Sequence, residues 1–232
     1  MLPKISELFD LTQTDQAEIF SGLEKIWEAI PNIADYLAYY LENHQVADLS
    51  KLNQAEYMGQ QVIIGEGTVI EPGVVIKGPA LIGKNCQIRK GAYLRENVII
   101  GHNSVVGNCT ELKNVLLFNN VQAAHFNYIG DSILGYKVHL GTGAKITNAK
   151  TPQSEIKIVT HYHTHQTGLH KFGALIGDFT EIGANTVTAP GSIIGRNCLL
   201  YPLIFWRGVL PANSLVKIHQ QQEITVKKGH GI

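Results

Sequence analysis

The sequence predicts a mainly β protein: a parallel β-helix with a short helical N-terminal segment and one long inserted loop. Two observations predict the β-helix. An aliphatic residue recurs every six positions through Ile64, Ile70, Ile76, Ile82, Ile88, Leu94, Ile100, Val106 and Leu112, and Phe118 and Ala124 continue the series. Glycine, at 23 residues, often follows the aliphatic, as at Gly65, Gly83, Gly101 and Gly107, and only 16% of residues are charged. Six is neither a helical nor a coiled-coil period. It fits a hexapeptide repeat in which each step makes one short strand and one turn. A third observation sets the N-terminus apart, because its apolar residues follow a helical spacing instead.

Residues 1–55 form that helical segment. Asp15 and Glu18 read as a capping box opening a helix through Ile19, Leu23, Ile26 and Trp27, which Pro31 stops. A second helix is expected over 32–43, with Ile33, Tyr36, Leu37 and Tyr40 at i, i+3, i+4 spacing. Either a packing cap or a helix for a partner or membrane fits this segment.

Residues 56–216 form the prism. Three steps close one triangular coil of about 18 residues, giving roughly seven coils stabilised by neighbour stacking. After a one-residue slip the series resumes at Leu134, Leu140 and Ile146, then returns at Ile176, Ile182, Thr188, Ile194, Leu200 and Trp206. Between these runs, residues 147–171 should leave the prism as an arm, a place where scaffolds often carry function. Residues 217–232 form a tail. The aliphatic and the residue four after it point inward, which buries Cys86 and Cys198 as small hydrophobes and leaves Cys109 at a turn without a role.

Charge excludes several classes. Lys+Arg and Asp+Glu are 19 each, so the basic footprint of a nucleic-acid binder is missing. No run approaches the roughly 20 apolar residues of a membrane span, and the start MLPKISELFD lacks the pattern of a signal peptide. Three scattered cysteines fit a reducing, cytoplasmic compartment. The sequence has no G-x-x-x-x-G-K-[ST], no strand–GxGxxG–helix unit and no G-x-S-x-G.

Coils stack about 4.8 Å apart, so residues one coil apart face each other. Arg95 and Lys113 form such an outward pair. Opposed like charges are destabilising, and a bound phosphate would relieve them; splaying into solvent or pairing with Glu111 are the alternatives. His125 follows Ala124 and points outward on another side, with Gly107 one coil away leaving room beside it. An imidazole so placed suits a general base, or is an ordinary surface histidine. Val98, Val105, Leu117 and Ala123 read as uncharged outward positions, which fits burial between neighbours in a homotrimer with sites at the subunit clefts. His161, His163, His165 and His170 allow a metal reading beside that of a polar loop, without a carboxylate or cysteine close by.

Residues 82–148, and KFGALIGDFTEIGANT after the arm, resemble the acetyltransferase domain of bifunctional N-acetylglucosamine-1-phosphate uridyltransferase/glucosamine-1-phosphate acetyltransferase. The strings A-Y-L-R, E-L-K and A-H-F-N-Y-I-G-D at their intervals carry the resemblance. It implies a left-handed parallel β-helix, a trimer, and acetyl transfer from acetyl-CoA to a sugar amine. By the same resemblance, His125 is the catalytic base, and Arg95, Lys113, Tyr128 and Lys171 hold the sugar phosphate. His139 stands at a substrate position where the family has Asn, and Thr142, Asn148 and Ala184 fall at acetyl-CoA or substrate contacts. Ala149 replaces a family tyrosine and the loop before Lys171 is longer, so the acceptor is expected to differ. The nucleotidyltransferase domain of the family has no counterpart, and uridyltransferase activity is not expected.

The expected function is therefore acyl-CoA-dependent N- or O-acylation of a sugar phosphate or nucleotide sugar. A non-catalytic sugar-phosphate-binding scaffold is one alternative. A γ-carbonic-anhydrase-like metal enzyme is another, although the spacings of His102, His125 and His139 do not resemble that pattern.

Overall fold

The computed structural model describes residues 2–44, 55, 57–160 and 163–226. The six-residue steps build a three-sided, left-handed parallel β-solenoid. The chain passes each coil from face A to face C to face B, in the first coil from Tyr57–Met58 to Val62–Ile64 to Val69–Ile70. Among the described residues, eight strands stack on face B, from Val69–Ile70 to Leu215–Val216, one coil more than the repeat spacing predicts. Faces A and C share one 14-stranded sheet, because Glu111–Leu117 and Tyr128–Leu134 run unbroken around the corner between them.

Those two strands correct the repeat frame. Leu112 pairs with Leu94 on one side and Ile129 on the other, and Leu117 pairs with Leu134. At each of these corners the step is five residues, so the inward series runs Leu112, Leu117, Ala123, Ile129, Leu134. Phe118 and Ala124 are not part of it. Leu117 and Ala123 were expected outside, as was Val98 although it stands four after Leu94 at an inward position of the repeat, yet all three are fully buried in the prism core. Of the four residues offered as an uncharged outer surface, only Val105 is partly exposed. Three of the four therefore offer no surface for a neighbouring subunit in a trimer.

Nearly every corner carries one residue at positive φ. Between faces C and B these are Gly67, Asn85, Asn103, Asn120, Asn197 and Asn213, residues that tolerate the left-handed region. Lys137 (φ 57°) and Phe179 (φ 60°) break that column. Cys86 and Cys198 are buried, as expected, and burial pushes both thiols above their ordinary range. Cys109 is exposed at a turn.

The N-terminal segment covers face C. The expected helix from Asp15 to Trp27 is instead a series of 3-10 turns at Leu11–Gln13, Ala17–Phe20 and Ile26–Glu28, with Gly22 at φ 71° between the last two. Asp15 caps nothing there, and its carboxylate meets His102 at 2.9 Å. Helix α1 is Ile5–Leu8 and helix α2 is Ala29–Asn43. Pro31 sits in the first turn of α2 rather than stopping a helix, because an N–H there has no intrahelical acceptor to lose. Ile30, Ile33, Leu37 and Leu41 form the buried stripe of α2. They meet the outward residues of face C, including Leu81, Ile99, Leu116, Ile133, Leu175 and Ile193. Each fully buried aliphatic of this kind contributes about 1.5–3 kcal/mol.

The inserted arm forms an antiparallel hairpin, Lys157–Val159 with Thr164–Gln166. It does not project freely. Ile156 and Ile158 are fully buried with Phe172 and the N-terminal segment, and His165 lies 6.3 Å from the Trp27 ring. Among the described residues, no helix is long and apolar enough to cross a membrane.

Candidate functional site

His125 ends the strand Gln122–His125 on face B, and Phe126 at φ 52° turns the chain onto face A. The imidazole is exposed. It stands beside Asn108, not Gly107, because the coil here is one residue shorter than the repeat. Gly107 instead lies against Ala124, where a Cβ would collide with the backbone. Asn127, 2% exposed, fixes the turn beneath His125. Its side-chain oxygen accepts from the His125 N–H at 3.3 Å and its amide donates to the Gly141 carbonyl at 2.9 Å.

Two of the expected cofactor contacts continue this corner. The His125 carbonyl accepts from Gly143 N–H at 3.0 Å, and Thr142 accepts from Asn185 N–H at 2.9 Å. Successive coils thus stack His125, Thr142 and Ala184 along one edge. Asn148, grouped with them from the sequence, lies elsewhere. It is 8% exposed on the far side of face A, among the residues assigned to substrate.

Face A carries a connected polar network. Arg95 donates to Glu111 at 3.0 Å and lies 3.7 Å from Glu96. Lys113 stands 3.6 Å from both Glu96 and Asp131. The two cations therefore stand among three carboxylates, and these already relieve the repulsion that pointed to a bound anion. The Tyr128 hydroxyl donates to the Asn148 side-chain oxygen at 3.2 Å, and the Asn148 amide donates to Asp131. Burial, with Glu111 and Asp131 nearby, pushes the Tyr128 phenol up. Gly130 leaves room for this network, since a Cβ would sit 2.5 Å from the Asn148 side-chain nitrogen and displace that amide. Lys171 is exposed next to it, where Phe172 N–H donates to the Asn148 carbonyl at 2.9 Å.

The structure brings Arg95, Lys113, Tyr128 and Asn148 together on face A, with Lys171 at its edge, beside the residue that bonds to Asn148. His125 is only the corner away from Tyr128, three residues or about 10 Å of chain. His139 is separate: it is exposed on face B between Gln122 and Glu181. Glu96, Asn127 and Asp131 were missed. Asn127 and Asp131 both fall within the A-H-F-N-Y-I-G-D string, which was their available signal. His161 lies outside the described residues; among those described, no group of three His, Cys, Asp or Glu is placed to hold a metal.

Comparison with known proteins places this arrangement among relatives. Residues 76–169 match the family model described as the GMPPB C-terminal domain. A bifunctional sugar-1-phosphate nucleotidylyltransferase/acetyltransferase of Sulfurisphaera tokodaii is 30% identical over 92 residues, 40% of this chain and 23% of the relative. The bifunctional protein GlmU of Methanococcus maripaludis is 36% identical over 97 residues, 39% of this chain and 23% of the relative. The chain spans about a quarter of the length of these curated relatives. The resemblance read from the sequence and these relatives coincide on the same acetyltransferase-bearing proteins. A solved N-acyltransferase of Bacillus cereus, AntD, in complex with dTDP-4-amino-4,6-dideoxyglucose and coenzyme A, superposes with a TM-score of 0.39 at 13% identity, over 74% of this chain and 86% of that one. That likeness is too loose to carry anything further to this chain.

Proposed function

We propose that this chain transfers an acyl group, with acetyl-CoA as donor, to an amine or hydroxyl of a phosphorylated sugar. The observation that carries the reading is the placement of His125. An exposed imidazole stands on a corner pinned by Asn127, between the stacked edge Thr142–Ala184 and the polar network of face A.

The edge is the place for the thioester arm of the donor. The network is the place for the acceptor. By the resemblance read from the sequence, Arg95, Lys113 and Lys171 meet the phosphate, which has to compete with the carboxylates that pair with the first two, while Glu96, Glu111 and Asp131 suit the hydroxyls and amine of the same sugar. His125 takes the acceptor's proton as the nitrogen or oxygen attacks the thioester carbonyl. The tetrahedral intermediate then collapses, the C–S bond breaks, and the imidazolium returns the proton to the leaving thiolate. A backbone N–H at a coil turn steadies the oxyanion. Uridyltransferase activity is not part of this reading.

Among the described residues, the N-terminal segment packs on face C and covers neither face A nor face B. In a homotrimer, face A of one copy against face B of the next would carry the neighbour's His139 toward the acceptor, uniting residues that one chain keeps apart. The test is release of free coenzyme A from acetyl-CoA in the presence of amino- and hydroxy-sugar phosphates, with acetyl-CoA binding followed by calorimetry. Acceptor-dependent release upholds the reading. Acetyl-CoA binding without release would leave a binding scaffold, and no acetyl-CoA binding would sink the donor assignment.

A further inference from the structure

Lys137 and Phe179 occupy positions that Asn or Gly holds on the other coils of the corner between faces C and B. A bulky side chain at positive φ is strained, and such strain persists where something other than the turn requires it. The two are neighbours: the Lys137 Nζ lies 6.0 Å from the Phe179 ring and 5.2 Å from the Tyr136 ring. Phe179 packs edge-on against Tyr136 with centroids 5.4 Å apart, yet it remains 45% exposed.

Both line an open cavity of about 560 Å³ together with Gln122, His139 and Glu181. One lysine and one glutamate leave it without a strong net charge, which disfavours a bare phosphate. An exposed ring with an amide, a carboxylate, an imidazole and an ammonium around it suits a saccharide. Its apolar C–H face can lie on the ring while its hydroxyls find donors and acceptors. Gln122 also begins the strand that ends at His125, so the cavity lies about 10 Å from that imidazole along one strand.

We infer that face B holds a second sugar-ring subsite, with Phe179 as its platform, and that the acceptor carries a ring beyond the one acylated. The acceptor role rests on the acyl-transfer reading; ring binding does not. The experiment titrates the full chain calorimetrically with glucosamine and with its β-linked disaccharide, and measures acetyl-CoA binding separately. The wild type is expected to bind the disaccharide about tenfold more tightly than the monosaccharide. Phe179→Asn and Lys137→Asn should each raise the melting temperature, since Asn is the residue this corner otherwise favours, and should abolish or reduce the disaccharide advantage. Absence of that advantage in the wild type, or its persistence in Phe179→Asn, overturns the subsite. Loss of acetyl-CoA binding instead bears on the acyl-transfer reading alone.

Discussion

Arg95 donates to the Glu111 carboxylate at 3.0 Å across adjacent coils, while Lys113 sits between two other carboxylates at 3.6 Å. The two cations have different structural weight. The Arg95 and Glu111 side chains are 32% and 34% exposed, whereas Lys113 and Asp131 are 13% and 6% exposed. Arg95→Ala should therefore change stability by no more than about 1 kcal/mol. Lys113→Ala leaves a buried carboxylate without its cation and should cost about 1–3 kcal/mol. Urea unfolding of both variants checks the order, and both should raise the KM for the sugar acceptor.

Acid should weaken the same network. Burial acts to raise Glu96, but its own backbone N–H, Lys113 and Arg95 prevail and hold it below its ordinary 4.5. A carboxyl depressed on folding contributes stability that is complete above pH 4.5 and disappears as pH falls through the lowered value. Melting temperature measured below pH 4.5 should fall less steeply in Glu96→Gln than in the wild type.

Much of the fold was legible because inward positions accept only apolar or small side chains, which makes the six-residue period visible. The two five-residue steps were hidden by apolar neighbours. Leu116, Leu117 and Phe118 are all buried, two toward the N-terminal cover and one toward the prism core, so either frame reads as apolar. His125 could be read from its string, but its neighbour Asn108 could not, since that depends on the hidden step. Asp131 also lies in that string, whereas Glu96 acts across coils on Lys113, a distance no local pattern reports.

The N-terminal cover is held by an aromatic cluster. Phe118 lies 5.3 Å from Phe9 and 6.0 Å from Phe20, ring to ring. Phe118→Ala should cost about 3–5 kcal/mol by opening a cavity beneath the cover. Hydrogen exchange should show that loss in α2 and face C together.

Asp178 is a second anchor. Its buried carboxylate accepts from Asp10 N–H at 2.7 Å, Tyr136 N–H at 2.8 Å and Arg196 at 2.7 Å. Asp178→Ala leaves these donors without their acceptor and should cost about 2–4 kcal/mol. The Asp10 amide should exchange faster with solvent than in the wild type, which heteronuclear NMR can follow.

The account turns on His125 as the proton acceptor. Acetyl-CoA-dependent turnover of the preferred sugar phosphate by His125→Ala is the most direct measurement, taken alongside its acetyl-CoA affinity. The account expects kcat to fall about 10²–10⁴-fold while the affinity for acetyl-CoA stays within a few-fold of the wild type. Unchanged kcat in that variant would contradict it.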